Sequence, residues 1–327
     1  MNWQGEKREG TPENIIDFWA GKAEGFSEAH GGMMRDHYYR LTEIDALSKR
    51  IRGGRVLDAG CGAGWATMFY AVNADHVVGC DITGGLIARA NRMLADPVFR
   101  YRKYWSGLTP FGAPLYRHNV AFEVQDVLDL PYADGAFDTV MFQRLLINLP
   151  TWDLQRQALA ELVRVLDGQM LISEVTEDGR AYVNALRKEF DLEPLTRYWH
   201  NRYLRHDEFV EELEGYGLHV MSERQGLYGF LSKVFYPAMI SPEEPQFLSG
   251  FNQAAHAVSV GAPGIGADLY RFLDETFRGA LAYQQPYEAW AKQYDAVLSQ
   301  VAKKDINMEG IALCNHQTLY RATREAK

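Results

Sequence analysis

The 327-residue sequence has little of what usually holds together secreted or metal-bound domains. It contains only three cysteines, Cys61, Cys80 and Cys314, and none of them forms a C-x-x-C pair. This scarcity argues against a disulfide framework and structural zinc, and it favours a reducing compartment. The nine histidines include no H-E-x-x-H or comparable pair, so no catalytic metal is expected.

Long apolar runs and clustered positive charge are also missing. No window approaches 18 consecutive apolar residues, so no membrane span is predicted, and the polar start MNWQGEKREG does not resemble a signal peptide. The net charge of -9, without any run of five Lys or Arg residues, disfavours a nucleic-acid partner. We therefore expect a cytoplasmic protein with a small-molecule partner. The sequence leaves its oligomeric state open.

Short apolar runs alternate with helical patterns through the first half of the chain. The predicted strands cover residues 55–58, 76–81, 121–124, 137–142 and 170–175, and the main intervening helices cover 65–72 and 152–166. This alternation predicts an α/β fold with a parallel sheet covered on both faces. Further along the chain, helices are predicted at 12–24, 36–50, 207–216 and 268–303, a strand at 218–224, and an antiparallel edge strand at 310–322.

The most specific motif is VLDAGCGAGW at residues 56–65, in which Asp58 precedes Gly60, Gly62 and Gly64. Glycine has no Cβ and tolerates positive φ, so such a turn lets a ligand approach the backbone closely. The following helix directs its N–H groups and its positive dipole end at that ligand. The alternative is a turn that only connects a strand to a helix.

Two further carboxylates follow the next two predicted strands. Asp81 lies 23 residues after Asp58, where an acid can accept hydrogen bonds from both hydroxyls of a ribose. It could equally cap the next helix. Asp126 follows the third strand and could accept a hydrogen bond from an adenine amino group. The ordered series of glycine turn, Asp81 and Asp126 indicates a nucleoside-containing ligand.

With these motifs the sequence resembles the class I S-adenosylmethionine-dependent methyltransferases. The resemblance rests on VLDAGCGAGW, VVGCDIT, VQDVLDLPYADGAFDTV and LVRVLDGQMLISEV, and it covers residues 36–175 best. It implies a Rossmann-like seven-stranded sheet of order 3-2-1-4-5-7-6 with strand 7 antiparallel. One departure is Asp167-Gly168-Gln169, which stands where the family usually has Lys-Pro-Gly-Gly and which we interpret as a shortened turn.

The resemblance also implies S-adenosylmethionine as cofactor and a set of residues that bind it. Arg40 could instead belong to a surface ion-pair ladder with Asp36 and Glu43, spaced along one helical face. We expect an N-terminal arm or lid at 1–35 and a methyltransferase domain at 36–327, with cap insertions at about 96–118, 180–215 and 236–306. The predicted cofactor-binding residues are Arg40, Asp58, Gly60, Cys61, Gly62, Gly64, Asp81, Ile82, Asp126, Val127 and Gln143.

Three residues are candidates for the transfer itself. Gln143 and Arg144 end the fourth strand, where methyl and acceptor should meet, and His200 is suited to take a proton near neutral pH. His200 could equally be an ordinary packed histidine. The positive residues around it predict a small acceptor that is anionic or sugar-like, most simply methylated on oxygen, although they could be a solvated helix face. These are Arg187, Lys188, Arg197, Arg202 and Arg205.

Two other functions remain open at this stage. A nicotinamide-dependent oxidoreductase also uses a glycine turn and a ribose-binding acid, but its G-x-G-x-x-G fingerprint differs from the G-x-G-x-G of this chain. A methyltransferase-like domain retained only for binding is the second alternative. The intact turn and both acids favour an active enzyme over that alternative.

Overall fold

The computed structural model describes residues 10–25, 43–44, 46–95, 119–224, 233–234 and 317–324. Seven strands form one sheet: β1 (Arg55–Ala59), β2 (His76–Asp81), β3 (Val120–Val124), β4 (Phe137–Gln143), β5 (Leu166–Val175), β6 (Leu218–Arg224) and β7 (Gln317–Arg324). Their order is 3-2-1-4-5-7-6, and β7 is antiparallel to both of its neighbours. The predicted fold class and strand order are confirmed.

Helices are placed between and around these strands. They are α1 (Pro12–Gly25), α2 (Trp65–Tyr70), α3 (Gly84–Ala95), α4 (Trp152–Arg164), α5 (Glu177–Glu189) and α6 (His206–Gly215). Thr151 and Thr176 cap α4 and α5, because each side-chain oxygen accepts a hydrogen bond from a backbone N–H three residues later. Of the helix predicted at 36–50, the described residues 43–44 and 46–48 are helical.

Alternate residues of the central strands pack into two cores, one on each face of the sheet. Val140 and Phe142 of β4 belong to one core together with Leu159 of α4. Met141 belongs to the other, together with Trp65 and Phe69 of α2. This period of two, buried on both faces, is what the apolar runs predicted. It also holds the carboxyl ends of the parallel strands along one edge of the sheet.

The predicted boundary between the fourth helix and the fifth strand is wrong. The helix ends at Arg164, and β5 already begins at Leu166, which pairs with Phe137 of β4. The DGQ segment is therefore part of a strand beside a β-bulge and not a shortened turn. A Cβ on Gly168 would overlap the backbone oxygen of Asp138, so glycine is what lets the two strands approach here.

The last strand also differs from its prediction. β7 runs from Gln317 to Arg324, whereas the expected strand covered 310–322 and its first seven residues lie outside the described residues. The antiparallel register pairs Ile172 with Tyr320, which places that ring in the core. The predicted helix at 268–303 also lies outside the described residues.

Candidate functional site

The glycine turn leaves β1 in a conformation that few other residues tolerate. Gly60, Gly62 and Gly64 have φ values of 68°, 59° and 76°, all in the left-handed region that favours glycine. A Cβ on Gly60 would lie 2.8 Å from Cδ1 of Leu145, beyond the end of β4. The turn therefore lies tightly against the end of β4, with its backbone at the carboxyl edge of the sheet.

Asp81 joins this turn to β2. Its carboxylate accepts hydrogen bonds from the backbone N–H of Gly62 at 3.0 Å and from that of Thr83 at 2.8 Å. Burial raises the pKa of Asp81, and the two backbone hydrogen bonds oppose that rise. The Thr83 side chain also hydrogen-bonds to this carboxylate, and an ionised carboxylate has about four acceptor positions, so some acceptor capacity remains for a ligand. The contact with Thr83 also supports the first turn before α3, so the helix-capping alternative is partly realised.

The other two predicted acids are held in different ways. Asp58 is buried at 3% exposure, and it accepts a hydrogen bond from the Thr67 hydroxyl at 2.6 Å. Asp126 accepts a hydrogen bond from the backbone N–H of Leu128 at 2.9 Å. Both contacts are short and local, so each carboxylate is oriented before any ligand arrives.

One cavity of about 420 Å³ opens at the carboxyl ends of β1, β2 and β4. One part of its wall, here called the turn end, comprises Asp58, Gly60, Asp81 and Asp126. Cys61, Ile82, Val127 and Gln143 from the predicted set also line the cavity. Gly62 and Gly64 shape the turn without being among the lining residues, and Arg40 and Asp36 lie outside the described residues.

Another part of its wall, here called the aromatic end, is formed by Phe18, Trp19, Tyr198, His200 and Tyr203. The first two belong to α1, and the other three belong to the loop between α5 and α6. The indole N–H of Trp19 donates a hydrogen bond to the side-chain oxygen of Asn148 at 3.2 Å. This contact fastens α1 to the loop after β4.

Sequence reasoning did not select Phe18, Trp19 or Lys22 as site residues. Phe18 and Trp19 fall in the segment 1–35 that was expected to be an arm or lid, and their adjacency in a short predicted helix was the available signal. The predicted cap segments 96–118 and 236–306 lie outside the described residues. The division of the chain into an arm, a domain and three cap insertions therefore stays a prediction.

His200 is buried among aromatic rings. Its imidazole is 8% exposed and stacks on Phe18, with ring centroids 4.3 Å apart and an angle of 27° between the planes. Tyr198 stacks at 5.5 Å, while Trp19 and Trp199 contact the ring with their edges. Burial, together with the nearby Lys22 ammonium, lowers the pKa of His200 to about 4. The ring is neutral at pH 7, and Nδ1 has no hydrogen-bond partner among the described residues.

Gln143 and Arg144 lie at the carboxyl end of β4 and line the cavity. The Nε2 atom of Gln143 is buried and has no partner among the described residues. Arg144 adopts a left-handed backbone with φ 52°, and its guanidinium forms an ion pair with Glu43 at 2.6 Å. Glu43 is 1% exposed and also accepts a hydrogen bond from Ser173 at 2.6 Å. The charge of Arg144 is thus already matched by a buried carboxylate.

The predicted cluster of arginines around His200 does not face the cavity, so that part of the prediction is wrong. Arg197 pairs with Glu177 at 3.2 Å and Arg205 pairs with Glu208 at 3.1 Å. Arg202 donates a hydrogen bond to the side chain of Gln155, and buried Arg187 donates to the backbone carbonyls of Glu193 and Lys233. Each of these arginines has found a partner within the fold. Arg144 and Arg180 are the arginines that line the cavity within the described part of the chain.

Cys61 and Cys80 are free, buried thiols beside the turn. Burial and the neighbouring carboxylates Asp58 and Asp81 raise the pKa of both. They stay protonated at neutral pH and serve as small packing groups rather than nucleophiles.

The described residues hold neither a metal-binding cluster nor a membrane-spanning helix. They contain no group of three or more His, Cys, Asp or Glu side chains placed to hold a metal ion. Over the same ranges, none of the helices combines the length and apolar character that crossing a membrane requires.

Comparison with known proteins adds a family to this geometry. Residues 57–171 match the family described as "Methyltransferase domain". A malonyl-[acyl-carrier protein] O-methyltransferase of Erwinia billingiae is 26% identical over 182 residues, which are 54% of this chain and 61% of that protein. A ubiquinone biosynthesis O-methyltransferase of Xylella fastidiosa is 25% identical over 214 residues, covering 64% of this chain and 79% of that protein.

The first of these relatives is spanned over less than two thirds of its length. A solved structure of magnesium protoporphyrin IX methyltransferase from Synechocystis PCC 6803 aligns with a TM-score of 0.47 and 17% identity, covering 64% of this chain and 91% of that one. The family match begins at Leu57 in β1 and ends at Leu171 in β5, so it contains the glycine turn and both of the following acids. Residues 57–171 of this chain therefore form a methyltransferase domain.

Proposed function

We propose that this protein transfers the methyl group of S-adenosylmethionine to an oxygen atom of a small-molecule acceptor. The observation that carries the proposal is that one cavity joins the turn end to the aromatic end. A nucleoside-binding wall and a second, chemically different wall in one enclosure are what a two-substrate transfer requires.

The residues at the turn end fit S-adenosylmethionine. Asp81 keeps acceptor capacity for the ribose, and Asp126 offers a carboxylate oxygen to the adenine amino group. Ile82 is 41% exposed and lines the cavity, so an adenine ring could cover this apolar surface. The unpartnered Nε2 of Gln143 offers donors to the amino-acid part of the cofactor. A buried donor without an acceptor lowers the stability of the folded protein, and a bound ligand that accepts the hydrogen bond removes this cost.

S-adenosylmethionine supplies, when bound, a methyl group on a positively charged sulfur. The chain then has to hold the acceptor in line with that methyl, exclude water and accept a proton. α1 closes one side of the cavity through Phe18 and Trp19, which removes water from the reacting groups. His200 is neutral at pH 7 and therefore able to accept a proton, whereas Arg144 acts by positioning, since Glu43 already matches its charge.

The acceptor predicted from the sequence is anionic or sugar-like. Lys22, which lines the cavity, supports a negatively charged acceptor atom. The names of the Erwinia and Xylella relatives, both O-methyltransferases, support oxygen as the methylated atom. The two buried free thiols of the described residues support the further proposal that the protein works in the reducing cytoplasm.

Calorimetry followed by a turnover assay tests the proposal. S-adenosylmethionine should bind and reduced nicotinamide dinucleotide should not. S-adenosylhomocysteine should then appear only when a pool of small metabolites is added to the protein. Binding of the nicotinamide in place of S-adenosylmethionine would point to the oxidoreductase alternative. Binding of S-adenosylmethionine without turnover on any pool would point to a non-catalytic binding domain.

A further inference from the structure

Two segments far apart in sequence build the aromatic end. Phe18 and Trp19 come from α1, and Tyr198, His200 and Tyr203 come from the loop between α5 and α6. The rings interlock, with Phe18 stacked on His200 and in edge contact with both Trp19 and Trp199. Ile147 and Val175 are buried together against Tyr203 and also line the cavity. A wall of this kind binds flat apolar molecules through burial and ring contacts.

Most polar side chains near this wall are already engaged within the protein. Asn148 accepts a hydrogen bond from Trp19 and donates one to the backbone carbonyl of Arg144. Arg180 is bound to Glu177 at 2.8 Å, and Arg144 to Glu43 at 2.6 Å. A sugar brings several hydroxyls, each of which loses free energy when it is buried without a partner. The wall therefore suits an acceptor that has few polar groups.

At the aromatic end, the His200 ring has a nitrogen that is available for a hydrogen bond with a ligand. The His200 ring is more than nine-tenths buried, lines the cavity and has a nitrogen without a partner among the described residues. A neutral imidazole can take part in one more hydrogen bond, with a single hydroxyl of a bound ligand. The ammonium of Lys22 lies close enough to His200 to lower its pKa, and the same charge would favour an ionised oxygen beside the ring.

The low pKa of His200 limits the kind of hydroxyl that its ring can deprotonate. A base whose conjugate acid has a pKa of about 4 takes a proton poorly from an aliphatic alcohol. A phenolic hydroxyl has a pKa near 10, as tyrosine does, and it ionises far more readily. The titratable and charged groups packed around the His200 ring are Lys22 on α1 and Tyr198 on its own loop.

We infer that the acceptor is a planar, largely apolar molecule with one acidic hydroxyl, phenolic or enolic, whose ring lies against Phe18 and Trp19 and whose hydroxyl faces His200. The inference rests on the proposed methyl transfer. In the reaction the acceptor oxygen forms the new O–CH3 bond as the S–CH3 bond breaks, and that electron pair stays on sulfur. The hydroxyl proton leaves through His200 to solvent, so charge and atoms balance.

Binding is tested with 2-naphthol as the planar, acidic probe and methyl glucoside as the sugar probe. Calorimetry is done on the full chain saturated with S-adenosylhomocysteine. We expect 2-naphthol to bind at least 100-fold more tightly than the glucoside. Phe18→Ala should weaken naphthol binding about tenfold, and Phe18→Tyr should restore it to within about threefold. Asp17→Ala, at an exposed position of the same helix, is the matched control and should change nothing.

Turnover separates this inference from the proposed function. S-adenosylhomocysteine should be released with 2-naphthol, and at least 100-fold more slowly with 2-naphthylmethanol, whose ring is the same but whose hydroxyl is not acidic. Equal rates with the two alcohols, or preferential methylation of the glucoside, would overturn the inference and leave the methyltransferase proposal intact. If S-adenosylmethionine itself fails to bind, the proposed function fails first.

Discussion

At the turn end of the cavity the backbone of one turn positions the key side chain, whereas at the aromatic end side chains from distant segments position one another. The left-handed glycines lie within 30 residues of Asp81, and the N–H groups of Gly62 and Thr83 hold its carboxylate. The aromatic end combines residues separated by more than 170 positions, such as Phe18 and His200. A site made from one turn is specified by a short motif, whereas a wall made from distant rings depends on how the whole chain folds.

The largest expected effect would test the turn end. Asp81→Ala removes the acceptor for the ribose hydroxyls and also frees two backbone N–H groups. Two charge-assisted hydrogen bonds are worth about 3–6 kcal/mol together, so affinity for S-adenosylmethionine should fall at least 100-fold. Calorimetry on folded protein measures this, with Asp134→Ala as control because Asp134 is an exposed partner of Arg164. Unchanged affinity would remove Asp81 from the cofactor site.

The second prediction concerns Glu174, a buried residue of β5 that holds the loop after β4. Its Oε1 accepts the backbone N–H of Leu146 at 2.7 Å, and burial raises its pKa from 4.5 to about 8. The folded state therefore keeps a proton that the unfolded chain releases above pH 4.5. By linkage, this group makes the protein less stable as the pH rises from 4.5 to 8, by about 3 kcal/mol between pH 5 and 7.5.

Denaturant titrations over that pH range measure the effect. Glu174→Gln carries no titrating proton, so the difference in unfolding free energy between the variant and the natural protein should shift by about 3 kcal/mol in favour of the variant from pH 5 to 7.5. A difference that does not change with pH would mean that Glu174 is ionised throughout. Its burial against the loop would then need another explanation.

The third prediction tests whether the aromatic end takes part in the chemistry. His200→Ala should lower turnover about 100-fold, at the low end of the range for a general base, because the natural imidazole is a weak one. Affinity for S-adenosylmethionine should stay within about twofold, since His200 is not part of the turn end. Turnover and cofactor binding measured on the same preparation distinguish a catalytic role of His200 from a packing role. Full turnover in the variant would identify His200 as packing.

The smallest effect would come from loosening α1 without removing its aromatic surface. Trp19→Phe keeps a ring but loses the hydrogen bond to Asn148, worth about 1 kcal/mol. The acceptor KM should rise about fivefold while the affinity for S-adenosylmethionine is unchanged. An equal loss of cofactor binding would show that α1 serves both ends, and the contrast drawn between them would not hold.

The central strands, the glycine turn and the two following acids could be predicted from local patterns in the sequence, whereas the strand order was implied by the resemblance to a known family. Apolar runs that are buried on both faces and glycines that must adopt positive φ leave local patterns, because each is dictated by a few neighbouring residues. The start of β5 could not be predicted in this way. In the sequence, Leu166 fits the apolar pattern of the preceding helix. In the structure it is a strand residue, because the irregular register of β4 places it opposite Phe137.

Only the tertiary structure decided the acceptor side. The arginines near His200 are a positive cluster in sequence, yet Glu177, Gln155 and Glu208 engage three of them outside the cavity. Phe18 and Trp19 meet His200 because α1 packs against the start of α3 and across the strand ends. Ion pairs and ring contacts between distant segments depend on where the backbone places each side chain. A local pattern of charge or aromaticity does not contain that information.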